Sequence, residues 1–245
     1  MKTDFYHYHR LPTQAAKNIY MSLYRGLVQR QERIDCGKYA ITEVGQVQSA
    51  IVNDHPYLFY FNGCVWKILG NHMWVLPEYV MDEAQICNYQ KQLTKVTNSF
   101  LRQANLIGRD NDYILEKVHD MLVEKLEYDT AAIGTLTEEH RQFAHSILGV
   151  LLKKEAVCDG ISKTYKYLLN HLGVSCIVIT GCDEKTKDSP KATHAWNVVK
   201  RGPDREKLHV DVTWDVSGSK PGHIRRDYFC LTEQEIRKTH FNFEV

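Results

Sequence analysis

The feature that most constrains the fold is a helix-like segment followed by three strand-like segments in the C-terminal half of the chain. The helix-like segment begins near residue 156, ends at Gly173 and carries apolar side chains at helical spacing: Ile161, Tyr165, Leu168, Leu169 and Leu172. The strand-like segments cover residues 175–180, 193–200 and 208–214, each bounded by turn residues. Because a helix followed by consecutive strands favours an antiparallel sheet packed on that helix, we predict an α+β fold.

The rest of the chain carries mixed helix and strand signals. Helical spacing of apolar residues recurs over residues 13–34, 82–106, 114–126 and 137–153. Asn62-Gly63 separates an aromatic segment from an apolar one, which is the strongest short signal for a β-hairpin, and a third strand is expected over 73–76. A polar break follows near residue 108. We therefore predict an N-terminal α/β accessory region over residues 1–107 and a larger core over 108–245.

Charge and hydropathy exclude several classes of function. Thirty-one Lys and Arg residues balance thirty Asp and Glu residues, which provides no basic surface for nucleic acid or an anionic membrane. No apolar run approaches the roughly 18 residues of a membrane helix, and the N-terminus lacks the apolar segment of a secretory signal. Seven cysteines without regular spacing indicate reduced thiols. We expect a cytoplasmic protein with neither nucleic acid nor membrane as a partner.

The spacing of possible ligands predicts no metal site and no cofactor. The sequence contains no Cys-x-x-Cys and no His-Glu-x-x-His pattern, although Cys and His are plentiful. It also contains no EF-hand loop for calcium and no glycine-rich loop for a nucleotide. A structural zinc site, calcium dependence and a bound nucleotide are therefore not expected.

Cys158, His194 and Asp211 form the candidate site. Cys158 lies at the predicted start of the helix, where unpaired backbone N–H groups and the positive end of the helix dipole stabilise a thiolate. His194 opens the second strand, and its imidazole can take the thiol proton and return it to a leaving group. Asp211 lies in the third predicted strand, and its carboxylate can fix the tautomer and orientation of that ring. These residue types in this order indicate a cysteine nucleophile with a general base.

The register of the last two strands can be predicted from the turn between them. Residues 201–206 form a short turn, so the strands on either side are expected to pair antiparallel. A turn centred between residues 203 and 204 brings Trp196 opposite Asp211. His194 is then a diagonal neighbour of Asp211 on the same face of the sheet, within reach of its carboxylate.

Three short blocks carry a resemblance to a known family. They are Ala156-Val157-Cys158-Asp159-Gly160, His194-Ala195-Trp196-Asn197 and His209-Val210-Asp211-Val212-Thr213-Trp214-Asp215. In this order and at this spacing they resemble the signature blocks of the bacterial transglutaminase-like superfamily. The resemblance covers roughly residues 110–240, and residues 54–60 resemble the region that often precedes this core.

The resemblance implies a papain-like fold with a catalytic triad of Cys158, His194 and Asp211. It implies attack on an amide, release of ammonia or an amine, and transfer of the acyl group from a thioester to an amine or to water. Members of the superfamily include cross-linking enzymes, deamidases, peptidases, peptide N-glycanases and inactive scaffolds. A protein or peptide substrate is therefore expected, with an amine as a possible acceptor, and the fold alone does not select one reaction.

Two other functions are compatible with the same residues. The first is a catalytically silent scaffold or protein-binding module that keeps the fold without the reaction. The second is a redox-sensing thiol protein, which requires a resolving cysteine close to Cys158. Cys176 and Cys182 are possible partners but have no diagnostic spacing.

Several residues near the three blocks have competing interpretations. Asp215 is a rival to Asp211 as the carboxylate, although its place near the strand end favours a loop role. His145 is a candidate second donor to an oxyanion, and a buried structural histidine is the alternative. His209 is expected to pack or to face solvent. Trp196 and Trp214 are expected in the core or the wall of a cleft.

Overall fold

The structure is a computed structural model that describes residues 5–38, 43–133, 137–202, 204, 206–219 and 222–245. Two compact units, Phe5–Asn88 and Tyr89–Val245, divide the chain within one long helix. The boundary expected at residue 107 therefore stays a prediction. No helix among the described residues is long and apolar enough to cross a bilayer.

The described residues of the unit Phe5–Asn88 combine helices with a small antiparallel sheet in the order β1-β3-β2. Its elements are α1 (Tyr6–Arg10), α2 (Gln14–Val28), β1 (Ile34–Asp35), α3 (Val44–Asp54), β2 (Phe61–Leu69) and β3 (His72–Tyr79). Helix α2 begins where the Thr13 side chain accepts a hydrogen bond from the Ala16 N–H, and it buries Ile19 and Leu23. Within this unit α2 packs against α3 and β1.

The hairpin prediction at Asn62-Gly63 is wrong. Strand β2 runs through both residues, and its register with β3 shifts between Phe61 and Cys64. The chain instead reverses between Leu69 and His72, across Gly70-Asn71. Gly63 and Gly70 both have positive φ, and a glycine of that conformation serves a bulge as well as a turn. The expected strand over 73–76 is confirmed as part of β3.

The unit Tyr89–Val245 contains a five-stranded sheet in the order β10-β6-β7-β8-β9, with antiparallel pairing throughout. Its strands are β4 (Glu127–Tyr128), β5 (Glu155–Ala156), β6 (Cys176–Asp183), β7 (His194–Arg201), β8 (Glu206–Val210), β9 (Phe229–Leu231) and β10 (His240–Phe241). Its α-helices are α5 (Asn111–Lys125), α6 (Glu138–Ala144), α7 (Cys158–His171), α8 (Val212–Gly218) and α9 (Glu233–Ile236), after the long helix α4 (Glu83–Gln103) that enters it. Strands β4 and β5 form a separate short parallel pair.

The predicted α+β fold class is confirmed, because helices and antiparallel strands build this unit. Helix α7 packs against β6 and β7 and buries Ile161, Tyr165 and Leu168. The buried Asn197 side chain fastens this contact, since its Nδ2 donates to the carbonyls of Ser162 in α7 at 3.0 Å and of β6 at 3.3 Å. This buried donor ties the helix to the sheet, because its removal would leave both carbonyls without a hydrogen-bond partner.

The single helix expected over residues 137–153 is interrupted. Helix α6 ends at Ala144, and a π-helix over Gly149–Lys153 follows after a turn. The carbonyl of Ala144 accepts a hydrogen bond from the N–H of Val157, just before α7. Tertiary contact with the start of α7 therefore overrides the helical spacing of the sequence.

Candidate active site

Cys158 is the first residue of the 14-residue helix α7. The backbone N–H groups of the first turn have no acceptor inside the helix, and the helix dipole places partial positive charge there. The Cys158 side chain is half-buried. Its place at the start of the helix is the one that the sequence predicts.

Gly160 is required at the start of α7 by close backbone contact. A Cβ at this position would lie 2.3 Å from the carbonyl oxygen of Ala144 and 3.0 Å from that of Ser146. Because both contacts are with backbone atoms, a side chain can fit only if the helix start moves. Gly160 thus sets how closely α7 approaches the preceding turn.

We expect Gly160→Ala to destabilise the protein by about 1–3 kcal/mol, the usual cost of overpacking, and to slow alkylation of Cys158. Urea unfolding and the alkylation rate measure the two effects. Gly45→Ala is the matched control, because Gly45 lies in helix α3 with nothing within 4 Å of an added Cβ. That control is expected to stabilise its helix by up to about 1 kcal/mol. Equal stability changes in the two variants would contradict the steric explanation.

The predicted register of β7 and β8 is confirmed. Asn197 pairs with Val210 and Arg201 with Glu206, which is the register that the turn predicts, and the pairing ends at Val210, one residue before Asp211. His194 and Asp211 consequently meet, and His194 Nε2 lies 2.6 Å from Asp211 Oδ2. Both side chains are buried. The histidine and the carboxylate proposed from sequence are therefore hydrogen-bonded partners.

Asp211 does not lie in a strand, so the strand expected over 208–214 is wrong beyond Val210. Asp211 is the N-cap of α8, and its Oδ1 accepts hydrogen bonds from the backbone N–H of Thr213 at 2.9 Å and of Trp214 at 3.2 Å. A carboxylate that caps a helix stops the strand although Val212 and Thr213 favour one. Asp211 Oδ1 thus caps the helix, and Oδ2 bonds to the imidazole of His194.

Electrostatics link the three predicted residues. Burial alone lowers the pKa of His194, but the charge and hydrogen bond of Asp211, together with a hydrogen bond to Cys158, raise that pKa to about 10. Burial likewise opposes ionisation of Asp211, yet His194 and a second histidine hold the pKa of its carboxyl well below the usual range. The site therefore favours an imidazolium beside an ionised carboxylate, with Cys158 as a further hydrogen-bond partner of the ring.

The His194–Asp211 pair is expected to make stability depend on pH. A raised His194 pKa stabilises the fold fully below the ordinary histidine pKa of 6.5 and progressively less as pH rises toward about 10. A lowered Asp211 pKa adds stability above the ordinary value of 3.8, and this is lost in acid. We expect the difference in unfolding free energy between the wild type and His194→Gln to be largest between about pH 4 and 6.5. Chemical denaturation at several pH values measures it, and a flat difference would contradict the pairing.

His240 is the site residue that sequence reasoning missed. It is fully buried in β10, and its Nε2 lies 3.0 Å from the same Asp211 Oδ2 that His194 contacts. Pairing of β10 with β6 brings it there, with His240 opposite Asp183. Residues 239–243 carry no motif that marks this role, because only the sheet order shows that the C-terminal strand reaches the site.

Two of the neighbouring candidates, Asp215 and His145, differ from what was expected. Asp215 is buried in α8 rather than in a loop, and it accepts a hydrogen bond from His119 Nε2 at 3.0 Å. His145 is not a buried structural residue, since 48% of its side chain is exposed and it lies 3.5 Å from Asp159. Of the two alternatives for His209, packing or solvent, the structure shows packing, because the residue is buried and accepts a hydrogen bond from Trp196 Nε1.

Two tryptophans flank the imidazole of His194, as expected for residues of the core or a cleft wall. Trp196 is buried, and its ring stacks on His194 with centroids 5.8 Å apart. The Trp214 ring lies 6.0 Å from His194 and also lines a cavity of about 420 Å³. Other residues lining this cavity are Asp183, Glu184, Lys185, Ser217, Arg225 and Tyr228. The cavity thus adjoins the candidate site through one wall and carries charges of both signs.

A metal ion is chemically possible at one group of side chains among the described residues. His194, Asp211 and His240 offer ligand atoms that all lie within 4.8 Å of one another. These atoms already satisfy one another through hydrogen bonds of 2.6 and 3.0 Å. The three side chains are therefore already hydrogen-bonded to one another without an ion. The expectation of no metal stays a prediction.

Comparison with known proteins gives distant structural similarity. No family model and no curated protein matches the sequence. The chain is similar to a solved TGase (transglutaminase), with 14% identity, a TM-score of 0.42 and coverage of 80% of this chain and 54% of that one. It is also similar to a structure described as a "Putative Cysteine Protease from Cytophaga hutchinsonii", with 13% identity, a TM-score of 0.36 and coverage of 62% and 61%. This chain thus corresponds to less than two thirds of the length of each.

Proposed function

We propose that this chain is a transglutaminase-like cysteine enzyme with a papain-like core, which transfers or hydrolyses the acyl group of a protein or peptide amide. The single observation that carries the proposal is the buried hydrogen bond between His194 and Asp211 beside Cys158. This arrangement supplies a nucleophile, a proton carrier and a group that orients it. The proposed catalytic core is residues 108–245, with residues 1–107 as an accessory region.

The first half of the reaction forms a thioester. The Cys158 thiolate attacks the amide carbonyl, and the new C–S bond places negative charge on the carbonyl oxygen. The Cys158 backbone N–H, in the first turn of α7, can donate to that oxygen. The His194 imidazolium then gives its proton to the amide nitrogen, the C–N bond breaks, and ammonia or an amine leaves.

The second half of the reaction resolves the thioester. Water or an amine attacks the acyl carbon while neutral His194 accepts a proton from that nucleophile. The C–S bond breaks and regenerates the Cys158 thiolate beside the His194 imidazolium. Asp211 stays ionised throughout and stabilises the charged ring, as its lowered pKa supports. Water gives a deamidase or peptidase, and an amine gives a transglutaminase.

The first test is the alkylation rate of each of the seven cysteines, followed by mass spectrometry. We expect Cys158 to react faster than Cys87, a matched control that is also half-buried, and His194→Ala to remove the advantage. Glutamine-containing peptides, with and without a primary amine, then test turnover through release of ammonia. Acid quenching should trap an acyl adduct on the peptide that contains Cys158. A Cys158 no more reactive than Cys87 would favour the silent scaffold instead.

A further inference from the structure

We propose that His240 is a positioning residue of this site, which locks Asp211 so that the carboxylate aims His194 at Cys158. The inference rests on the proposed function and extends the triad by a second imidazole. His240 Nε2 and His194 Nε2 lie 3.0 and 2.6 Å from the same oxygen, Asp211 Oδ2. Neither His240 nor Asp211 is exposed to solvent, so no water competes for that oxygen from the bulk.

The direction of the His240 hydrogen bond follows from its acceptor. An ionised carboxylate only accepts, so His240 Nε2 must carry the hydrogen. The other ring nitrogen, Nδ1, lies 2.9 Å from the Thr239 hydroxyl, which also lies within 3.3 Å of the Ile236 carbonyl. Thr239 thus holds the ring in place, and the orientation of His240 is set from both of its nitrogens.

Every hydrogen-bonding direction of the Asp211 carboxylate is occupied. Oδ1 receives two backbone N–H groups from the first turn of α8, and Oδ2 receives the two imidazoles. Without His240, one oxygen would be held only by the ring that it must orient. With His240, the carboxylate is fixed by groups that take no part in proton transfer, which restricts the rotation of His194.

Contacts with two tryptophan rings and a close approach of two strands fix the position of His240. Its ring lies between Trp196 and Trp214, with centroid distances of 4.7 Å to each. At Gly181 in β6, a Cβ would lie 2.6 Å from the Phe241 carbonyl oxygen and 2.7 Å from the Trp196 ring. The absence of a side chain at Gly181 therefore allows β10 to approach β6 closely enough to deliver His240.

The test compares variants that keep or remove the donor at the position of Nε2. His240→Gln places an amide nitrogen near that position, His240→Asn places one near Nδ1, and His240→Phe fills the space with no donor. We expect the alkylation rate of Cys158 at pH 6.5 to fall about tenfold or more in the Phe and Asn variants, the usual effect of losing a hydrogen bond to a charged group. The Gln variant is expected to stay within about threefold of the wild type.

Two controls separate positioning from folding and from failure of the proposed function. His171→Gln replaces a histidine at the far end of α7 and is expected to change nothing. Thermal unfolding identifies variants that lose the fold, and the Gln and Asn pair still discriminates if the Phe variant does not fold. Alkylation needs no amide substrate, so the comparison is independent of finding one. With a substrate in hand, the Phe variant should lower kcat with little change in KM.

Two results would overturn the inference. A folded Phe variant that alkylates at the wild-type rate would make His240 a space-filling residue, and so would equal losses in the Gln and Phe variants. Failure of the proposed function has a different signature, because wild-type Cys158 would then react no faster than in His194→Ala. In that case the site is not primed and the positioning role fails with it.

Discussion

Replacing Cys158 with alanine is expected to reduce turnover by a factor on the order of 10⁶, the size of effect seen when a triad nucleophile is removed. In the proposed mechanism the Cys158 sulfur forms the thioester, so the loss should appear in kcat. The Cys158 side chain is half-buried and short, so the free energy of unfolding should change by less than about 1 kcal/mol. Initial rates with a reactive amide or ester substrate, together with urea unfolding, measure both effects.

The matched control for this variant is Cys87→Ala. Cys87 has the same class of exposure and lies in α4, and its loss should leave turnover unchanged. Turnover that persists in Cys158→Ala would assign the nucleophile to another residue. A loss of turnover together with a large loss of stability would show instead that Cys158 supports the fold.

Asp211→Asn is expected to lower kcat by a factor on the order of 10⁴ with little change in KM, as in other triads that lose the orienting charge. The neutral amide no longer stabilises the His194 imidazolium, whose raised pKa depends on Asp211. The side-chain oxygen of Asn can still accept hydrogen bonds from Thr213 and Trp214, so α8 should remain capped. A pH–rate profile and the separation of kcat from KM measure the effect.

Asp211→Ala separates the catalytic effect from the structural one. It removes the helix cap as well as the charge, and cap loss alone costs about 1 kcal/mol. We therefore expect the Ala variant to be less stable than the Asn variant but no more active. If the Asn variant changed only KM, Asp211 would act in substrate binding and the assigned role would be wrong.

The sequence was sufficient to predict the elements that carry Cys158 and His194. Helix α7 has a continuous apolar face and a glycine stop at Gly173, and β6 and β7 follow with clear boundaries. The register of β7 with β8 followed from the length of one turn, because pairing in a short hairpin is fixed by its loop. Local signals determine these features, so they can be recognised without a structure.

Features that depend on contacts between distant residues could not be predicted. Val212 and Thr213 favour a strand, and the Asp211 cap that starts α8 competes with that preference. The hairpin signal at Asn62-Gly63 fits a bulge equally well, and pairing with β3 decides between them. His240 reaches Asp211 only because β10 pairs with β6 at the edge of the sheet. The paired residues His240 and Asp183 are 57 positions apart in the sequence, so no local signal reveals the contact.

The sheet order also has a consequence for synthesis on the ribosome. Strand β10 pairs with β6, yet β7, β8 and β9 all lie between them in the chain. A nascent chain that has emerged as far as β9 already contains Cys158, His194 and Asp211 but still lacks His240. If His240 fixes the carboxylate, His194 is not held in its orientation toward the Cys158 thiol until translation has passed β10. Under the proposed roles of Cys158 and His240, synthesis of the last strand is therefore the step that completes the site.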